Sequence, residues 1–181
     1  MIAVLLAGCG GGNAPQPGAA ATTSPAASTI AVANGDFEQR ASDGSIPGWT
    51  LMRHAGQQVY EIAVEPSAAY RGSGGFRITR TREQIYGSLV QDVELPAGIA
   101  GMVELSAMMK SADVGPDGWK LMVIAADVPE YSAALVGSND WQRVSVRAKL
   151  PANAHTIRVG ATLLDSGTGW LDDVELRAVA P

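Results

Sequence analysis

The residues best placed to do chemistry are carboxylates near the two ends of the sequence. The run Trp170-Leu171-Asp172-Asp173-Val174-Glu175-Leu176 alternates like a strand. Alternate side chains of a strand share a face. Trp170, Asp172, Val174 and Leu176 then fall together, and Val174 and Leu176 belong in a core. Asp172 is therefore expected to point inward with them. A buried carboxylate must be neutralised, paired or bound to a metal. At the other end, Asn34-Gly35-Asp36-Phe37-Glu38 puts Phe37 inward and leaves Asp36 and Glu38 on a shared face. Chain ends often lie close together in a domain, so these carboxylates could converge. Hard oxygen donors clustered in that way suit Ca²⁺. The alternative is an Asp172 satisfied by backbone N–H groups or by an arginine.

Other chemistries are poorly supplied. The chain has one Cys, Cys9, which excludes an intramolecular disulfide framework and any multi-Cys zinc site. Its two histidines, His54 and His155, stand far apart in sequence. There is no G-x-S-x-G elbow, no H-E-x-x-H and no phosphate-binding loop. Thirteen basic residues against 18 acidic ones give a net charge of −5, which argues against a nucleic-acid partner. Asp172-Asp173 is an acidic pair of the kind a glycosidase needs. Aromatics make up only 6% of the chain, too few for a deep sugar-cleaving cleft, so a non-catalytic domain is expected.

These side chains need elements to hold them. Val103, Leu105, Ala107 and Met109 alternate with Glu104, Ser106 and Met108. Val144 to Leu150 and Ile157 to Leu163 alternate in the same way, and Leu89, Val93 and Leu95 share one face. Period two is the strand signature. Trp119 to Ala126 is apolar on both faces and reads as a central strand. Turn residues punctuate these runs at 72–75, 96–98, 115–118, 137–140 and 166–169. Eight or more short strands with regular turns predict an all-β fold, an antiparallel β-sandwich.

The first thirty-five residues differ in kind. No charged side chain precedes Asp36. Ile2 to Ala7 is a short apolar run, and Leu6-Ala7-Gly8-Cys9 resembles the lipobox of bacterial lipoproteins. That resemblance implies cleavage before Cys9 and lipidation of its thiol, making Cys9 a membrane anchor. The apolar run lacks a basic flank and is shorter than the usual roughly 7–15 residues, so the true start is expected several residues upstream. Gly10 to Ile30 is rich in Gly, Pro, Ala, Ser and Thr and reads as a flexible tether. The expected organisation is a signal remnant over 1–8, a lipidated Cys and tether over 9–30, and a folded domain over 31–181. The expected location is the bacterial cell envelope, on the outer membrane if the source is Gram-negative. The only membrane contact would be the lipid, since no apolar run reaches the roughly 18 residues of a spanning helix.

Four segments carry a further resemblance: Asn34 to Glu38, Ile46-Pro47-Gly48-Trp49, Trp141 to Val146, and Gly167 to Leu176. A fifth is Ala69-Tyr70-Arg71-Gly72-Ser73 followed by Phe76-Arg77-Ile78. In order and spacing they resemble the carbohydrate-binding modules of families 4, 9 and 22, over nearly all of residues 32–177. The resemblance implies a jelly roll of the galactose-binding type and one structural calcium away from the sugar site. Its ligands would be the side chains of Glu38, Glu65 and Asp172 and the backbone carbonyls of Asp36 and Arg71. Asp173 replaces Asp172 if the register shifts by one.

A pyranose ring presents an apolar face that stacks on aromatic side chains, and its hydroxyls need polar partners. Tyr86, Trp119 and Tyr131 are the aromatic candidates for ligand contact. Arg80, Arg82 and Gln84 are the polar ones, with Glu83 and Gln91 nearby. Phe37, Phe76, Trp49, Trp141 and Trp170 are expected to pack structurally. The function this implies is a non-catalytic module holding a poly- or oligosaccharide on a shallow face at the cell envelope. The alternative is an envelope protein-interaction module of the same fold with no sugar ligand.

Overall fold

The computed structural model describes residues 28–53, 59–83 and 86–180. Ten strands build it: β1 (Ser28–Ile30), β2 (Thr50–Arg53), β3 (Tyr60–Glu65), β4 (Gly75–Arg80), β5 (Gly87–Glu94), β6 (Met102–Ala125), β7 (Val128–Tyr131), β8 (Leu135–Lys149), β9 (Thr156–Leu163) and β10 (Thr168–Val179). One 3-10 turn, Pro66–Ala68, joins β3 to β4. All pairings are antiparallel. The fold is a jelly-roll β-sandwich of the galactose-binding type.

β6 belongs to both layers. Its first half, from Met102, pairs with β10 and β8. Its second half, from Trp119, pairs with β9 and β7. The first layer therefore runs β2-β5-β9-β6-β7, and the second runs β3-β4-β10-β6-β8, with β1 beside the end of β10. Between the layers lie the apolar positions expected from period two: Val103, Leu105, Ala107 and Met109 face Leu89, Val159, Ala161 and Leu163 in one buried cluster. Phe37 fills one end of the cluster, 5.4 Å from the Trp49 ring and 5.9 Å from Phe76. The Trp49 indole N–H donates to the Asn34 carbonyl at 3.1 Å, so this aromatic is structural.

Three expectations need correction. The turns expected at 115–118 and 137–140 are irregular stretches inside β6 and β8, where the pairing register shifts. Trp170 does not enter the core. It is half-buried on the outer side of the second layer, with the Lys110 ammonium 5.4 Å from its ring centre. The cause is a bulge in β10: its register with β6 breaks between Asp172 and Glu175, and Asp173 adopts a φ of 53°. Before the bulge Leu171 faces the core, and after it Val174 and Leu176 do. Asp172 is buried as expected, at 1% exposure, but it lies out of phase with Leu171. The segment 69–74 covers it, rather than the core.

Candidate functional site

The outer face of the first layer carries a shallow cavity, although Ser88, Val90, Met122 and Thr162 on it are buried. Strand pairing places Thr50, Val90, Gly160, Met122 and Tyr131 in one row across all five strands. A second row runs Met52, Ser88, Thr162 and Lys120, and a third holds Asp92, Arg158 and Ile124. Gly160 puts no side chain on the middle of this surface. A Cβ there would strike the Leu89 carbonyl of the neighbouring strand, so the floor is held flat. A cavity of about 190 Å³ opens on this face, lined among others by Tyr86, Tyr131, Met52, Met122 and Thr162.

Tyr131 is 46% exposed and Tyr86 is half-buried, so both present ring surface with polar tips. Ser88 Oγ donates to Thr162 Oγ1 at 2.7 Å on the floor. Arg158 lies at the other edge. Its Nε and Nη2 donate to the two oxygens of Asp92 at 2.7 and 2.9 Å, and its Nη1 reaches Met52 Sδ at 3.7 Å. This bidentate pair holds the Asp92 carboxyl below its ordinary value, through the hydrogen bond first and the charge second. A fork fixed in this way places a planar guanidinium and a carboxylate on the same sheet face, in a hollow separate from that of the tyrosines.

Tyr86 and Tyr131, 45 positions apart in the sequence, thus meet in one cavity. Trp119 does not join them. It is fully buried, and its indole N–H donates to the Trp170 carbonyl at 3.1 Å, so it cannot touch a surface ligand. It heads the half of β6 whose odd positions, Trp119, Leu121 and Val123, face the core. Arg80 is half-buried at the end of β4, with Nη2 3.6 Å from Asp165 Oδ1, and does not line the cavity. Arg82 and Glu83 are exposed. Gln84 lies outside the described residues. Gln91 is buried and holds both backbone groups of Ala33, at 2.7 and 2.9 Å, so it is structural. Met52, Met122, Asp92 and Arg158 were not foreseen. The available signal was the Trp119 to Ala126 run: an apolar outer side on a sandwich strand needs either a third layer or a ligand surface.

The expected calcium residues sit around the segment 69–74 on the second layer. Glu38 Oε1 accepts from the Ser73 and Gly74 N–H groups at 2.8 and 3.0 Å, and Oε2 accepts from Ser73 Oγ at 2.6 Å. The Ser73 hydroxyl, then these two N–H groups, hold the Glu38 carboxyl below its ordinary value. Gly72, at φ 75°, passes so close to Glu38 that a Cβ would overlap the carboxylate. Asp172 Oδ2 accepts from the Tyr70 and Arg71 N–H groups at 2.8 and 3.1 Å, and Oδ1 accepts from the Asp173 N–H at 2.7 Å. Burial pushes the Asp172 carboxyl up, against these three donors. Glu65 is held by the Arg77 Nε at 3.2 Å, and Asp36 is exposed. Glu38 and Asp172 thus each accept three hydrogen bonds, against about four lone-pair sites on a carboxylate. Among the described residues no three His, Cys, Asp or Glu side chains are grouped to hold a metal. Asp172 instead has the backbone N–H partners that were the alternative to a metal.

No protein-family model matches the chain, and no curated protein matches it. Solved structures do. An apo-form cyclase from Fischerella sp. is 13% identical with a TM-score of 0.59, the match covering 86% of this chain and 98% of that one. TmCBM61 in complex with β-1,4-galactotriose is 19% identical with a TM-score of 0.58, covering 81% and 97%. The CBM22-1 xylan-binding domain of Paenibacillus barcinonensis Xyn10C is 16% identical with a TM-score of 0.53, covering 81% and 94%. At these identities the likeness shows a shared fold.

Proposed function

We propose that this chain is a non-catalytic carbohydrate-binding module that takes a poly- or oligosaccharide on the outer face of its first layer. The observation that carries this reading is the meeting of Tyr86 and Tyr131 in one cavity on a sheet face held flat at Gly160, with the Asp92–Arg158 pair farther along the same face. Each tyrosine stacks a pyranose face, and the polar groups hold hydroxyls. The modules with galactotriose and xylan among their ligands share this fold and supply the ligand class. The surface is shallow and its aromatic residues are two tyrosines, so weak binding to a long chain fits it better than tight capture of a small sugar.

The test is affinity gel electrophoresis of the full chain in xylan, β-galactan, β-glucan and mannan. Retardation by one polymer, lost in Tyr131→Ala and in Tyr86→Ala with unchanged melting temperature, establishes the site. No retardation by any of them transfers the reading to a protein-interaction module. An envelope anchor at Cys9 is part of the same proposal and rests on the Leu6-Ala7-Gly8-Cys9 motif; the tether expected over 9–30 ends earlier, because Ser28–Ile30 pairs with β10 and Ile30 is buried in the core. Incorporation of labelled palmitate into the wild type, absent from Cys9→Ser, tests it.

A further inference from the structure

The outer side of the second layer carries a closed ring of contacts that the groove does not use. Asp172 pins the backbone N–H groups of Tyr70 and Arg71, so these two neighbours are fixed in place from below. The Tyr70 ring lies 5.7 Å from the Trp141 ring at 58°, forming an open corner of two aromatic faces. Tyr70 is 46% exposed and Trp141 is half-buried. Two residues along β8 from Trp141, Arg143 donates from Nη2 to Asp173 Oδ2 at 2.8 Å. Arg71 closes the ring by holding the other oxygen of Asp173.

The two arginines are not equivalent. Arg143 is spent, with Nη1 on Ser106 Oγ at 3.2 Å and 3.9 Å from Glu175. Arg71 has a side chain 65% exposed, and it holds Asp173 through Nη2 alone. No described residue accepts from its Nε or Nη1. Arg143 is shared between Asp173 and Glu175, so of the two guanidinium groups Arg71 alone keeps unspent donors.

An aromatic corner beside a preorganised guanidinium with unspent donors is the chemistry for a sugar ring that carries an anionic group. We propose that Tyr70, Trp141 and Arg71 form a second binding site, independent of the groove, for an acidic sugar residue. The pyranose face packs in the Tyr70–Trp141 corner, and its carboxylate takes the free edge of Arg71. In this design Asp172 and Asp173 are positioning residues: one fixes the backbone, the other aims the guanidinium.

The probes are polygalacturonate, alginate and hyaluronate, with fully methyl-esterified polygalacturonate as the uncharged control, run as affinity gels with the full chain. Retardation is expected with at least one acidic polymer, falling as salt rises. If the polymer is polygalacturonate, the ester should bind more weakly. Arg71→Ala should weaken the binding about tenfold, the scale of one charge-assisted contact, and Arg71→Lys should restore only part of it. Tyr70→Ala keeps every backbone contact of the loop and should lose binding with an unchanged melting temperature, which covers the case of an Arg71 variant that does not fold. Tyr131→Ala should leave this binding intact, so failure here is distinct from failure of the groove. Absence of retardation by all three acidic polymers overturns the proposal. So does full binding by Tyr70→Ala, or by a folded Arg71→Ala.

Discussion

The two outer faces of the sandwich share a strand and hold their polar groups in different ways. On the first layer, β6 sends Met122 and Ile124 outward into the cavity of that face. On the second it sends Met108 and Lys110 outward, and the two methionines are buried alike, Met122 at 5% and Met108 at 7% exposure. What differs is how the polar groups are held. On the second face the segment 69–74 is tied to Asp172 and Glu38 near the bulge of β10. On the first face Ser88 pairs with Thr162 and Asp92 with Arg158, each across neighbouring strands. One face thus spends its polar groups on holding a loop, and the other spends them on strand-to-strand pairs.

Breaking the hold on that loop should give the largest effect. Asp172→Ala leaves three N–H groups without their acceptor and should cost about 2–4 kcal/mol, read as a lower denaturant midpoint with the groove's glycan preference unchanged in the folded fraction. The floor of the first face comes next. Gly160→Ala drives a Cβ against the Leu89 carbonyl and should cost about 1–3 kcal/mol while blunting glycan retardation. A large loss of binding with no loss of stability would show that β5 and β9 can part there without strain.

Smaller is the acid response of the clasp. The Glu38 carboxyl is lowered in the fold, so its contribution is complete above the ordinary glutamate value and fades as pH falls through the folded one. Melting followed from neutral pH to acid should show that loss in the wild type and not in Glu38→Gln. Asp172 acts with the opposite sign. Its carboxyl is raised, so ionisation costs the fold stability above the raised value, and protonation on acidification relieves that cost. Asp172→Asn should therefore steepen the net acid loss. The smallest expected effect is that of a chelator. If N–H groups close the clasp, EDTA leaves the melting temperature where it was. A fall that calcium reverses, and that Asp172→Asn abolishes, would restore the metal.

Much of the fold was legible because period two is a local property. Runs such as Val103 to Met109 and Ile157 to Leu163 have one apolar face, and a strand has one way to bury it. The bulge at Asp172–Asp173 was not legible, because Val174 and Leu176 look in phase with Trp170 until an extra residue is counted out of the strand. Trp119 was misassigned for a related reason. A tryptophan after a glycine turn looks exposed, but β6 continues through that turn without leaving the sheet. Tyr86 and Tyr131 were singled out as aromatics at polar junctions, and their meeting in one cavity depended on β5, β9, β6 and β7 lying side by side. Asp92 and Arg158 form a pair only through strand register 66 residues apart, which no local pattern encodes.

The position of β6 also bears on how the chain comes together. Its four partners, β7, β8, β9 and β10, all follow it in sequence. The earlier hairpin β3–β4 must wait for β10, and the earlier pair β2–β5 must wait for β9, before either joins a sheet. A chain emerging from its N-terminus therefore carries unpaired strand edges until β9 and β10 have been made. Closure of loops this long before any compensating contact forms makes for slow folding, on the millisecond-to-second scale of β-rich domains. Loss of β10 would leave β3–β4 without its neighbour while β2–β5 kept β9, so the second layer should fail before the first.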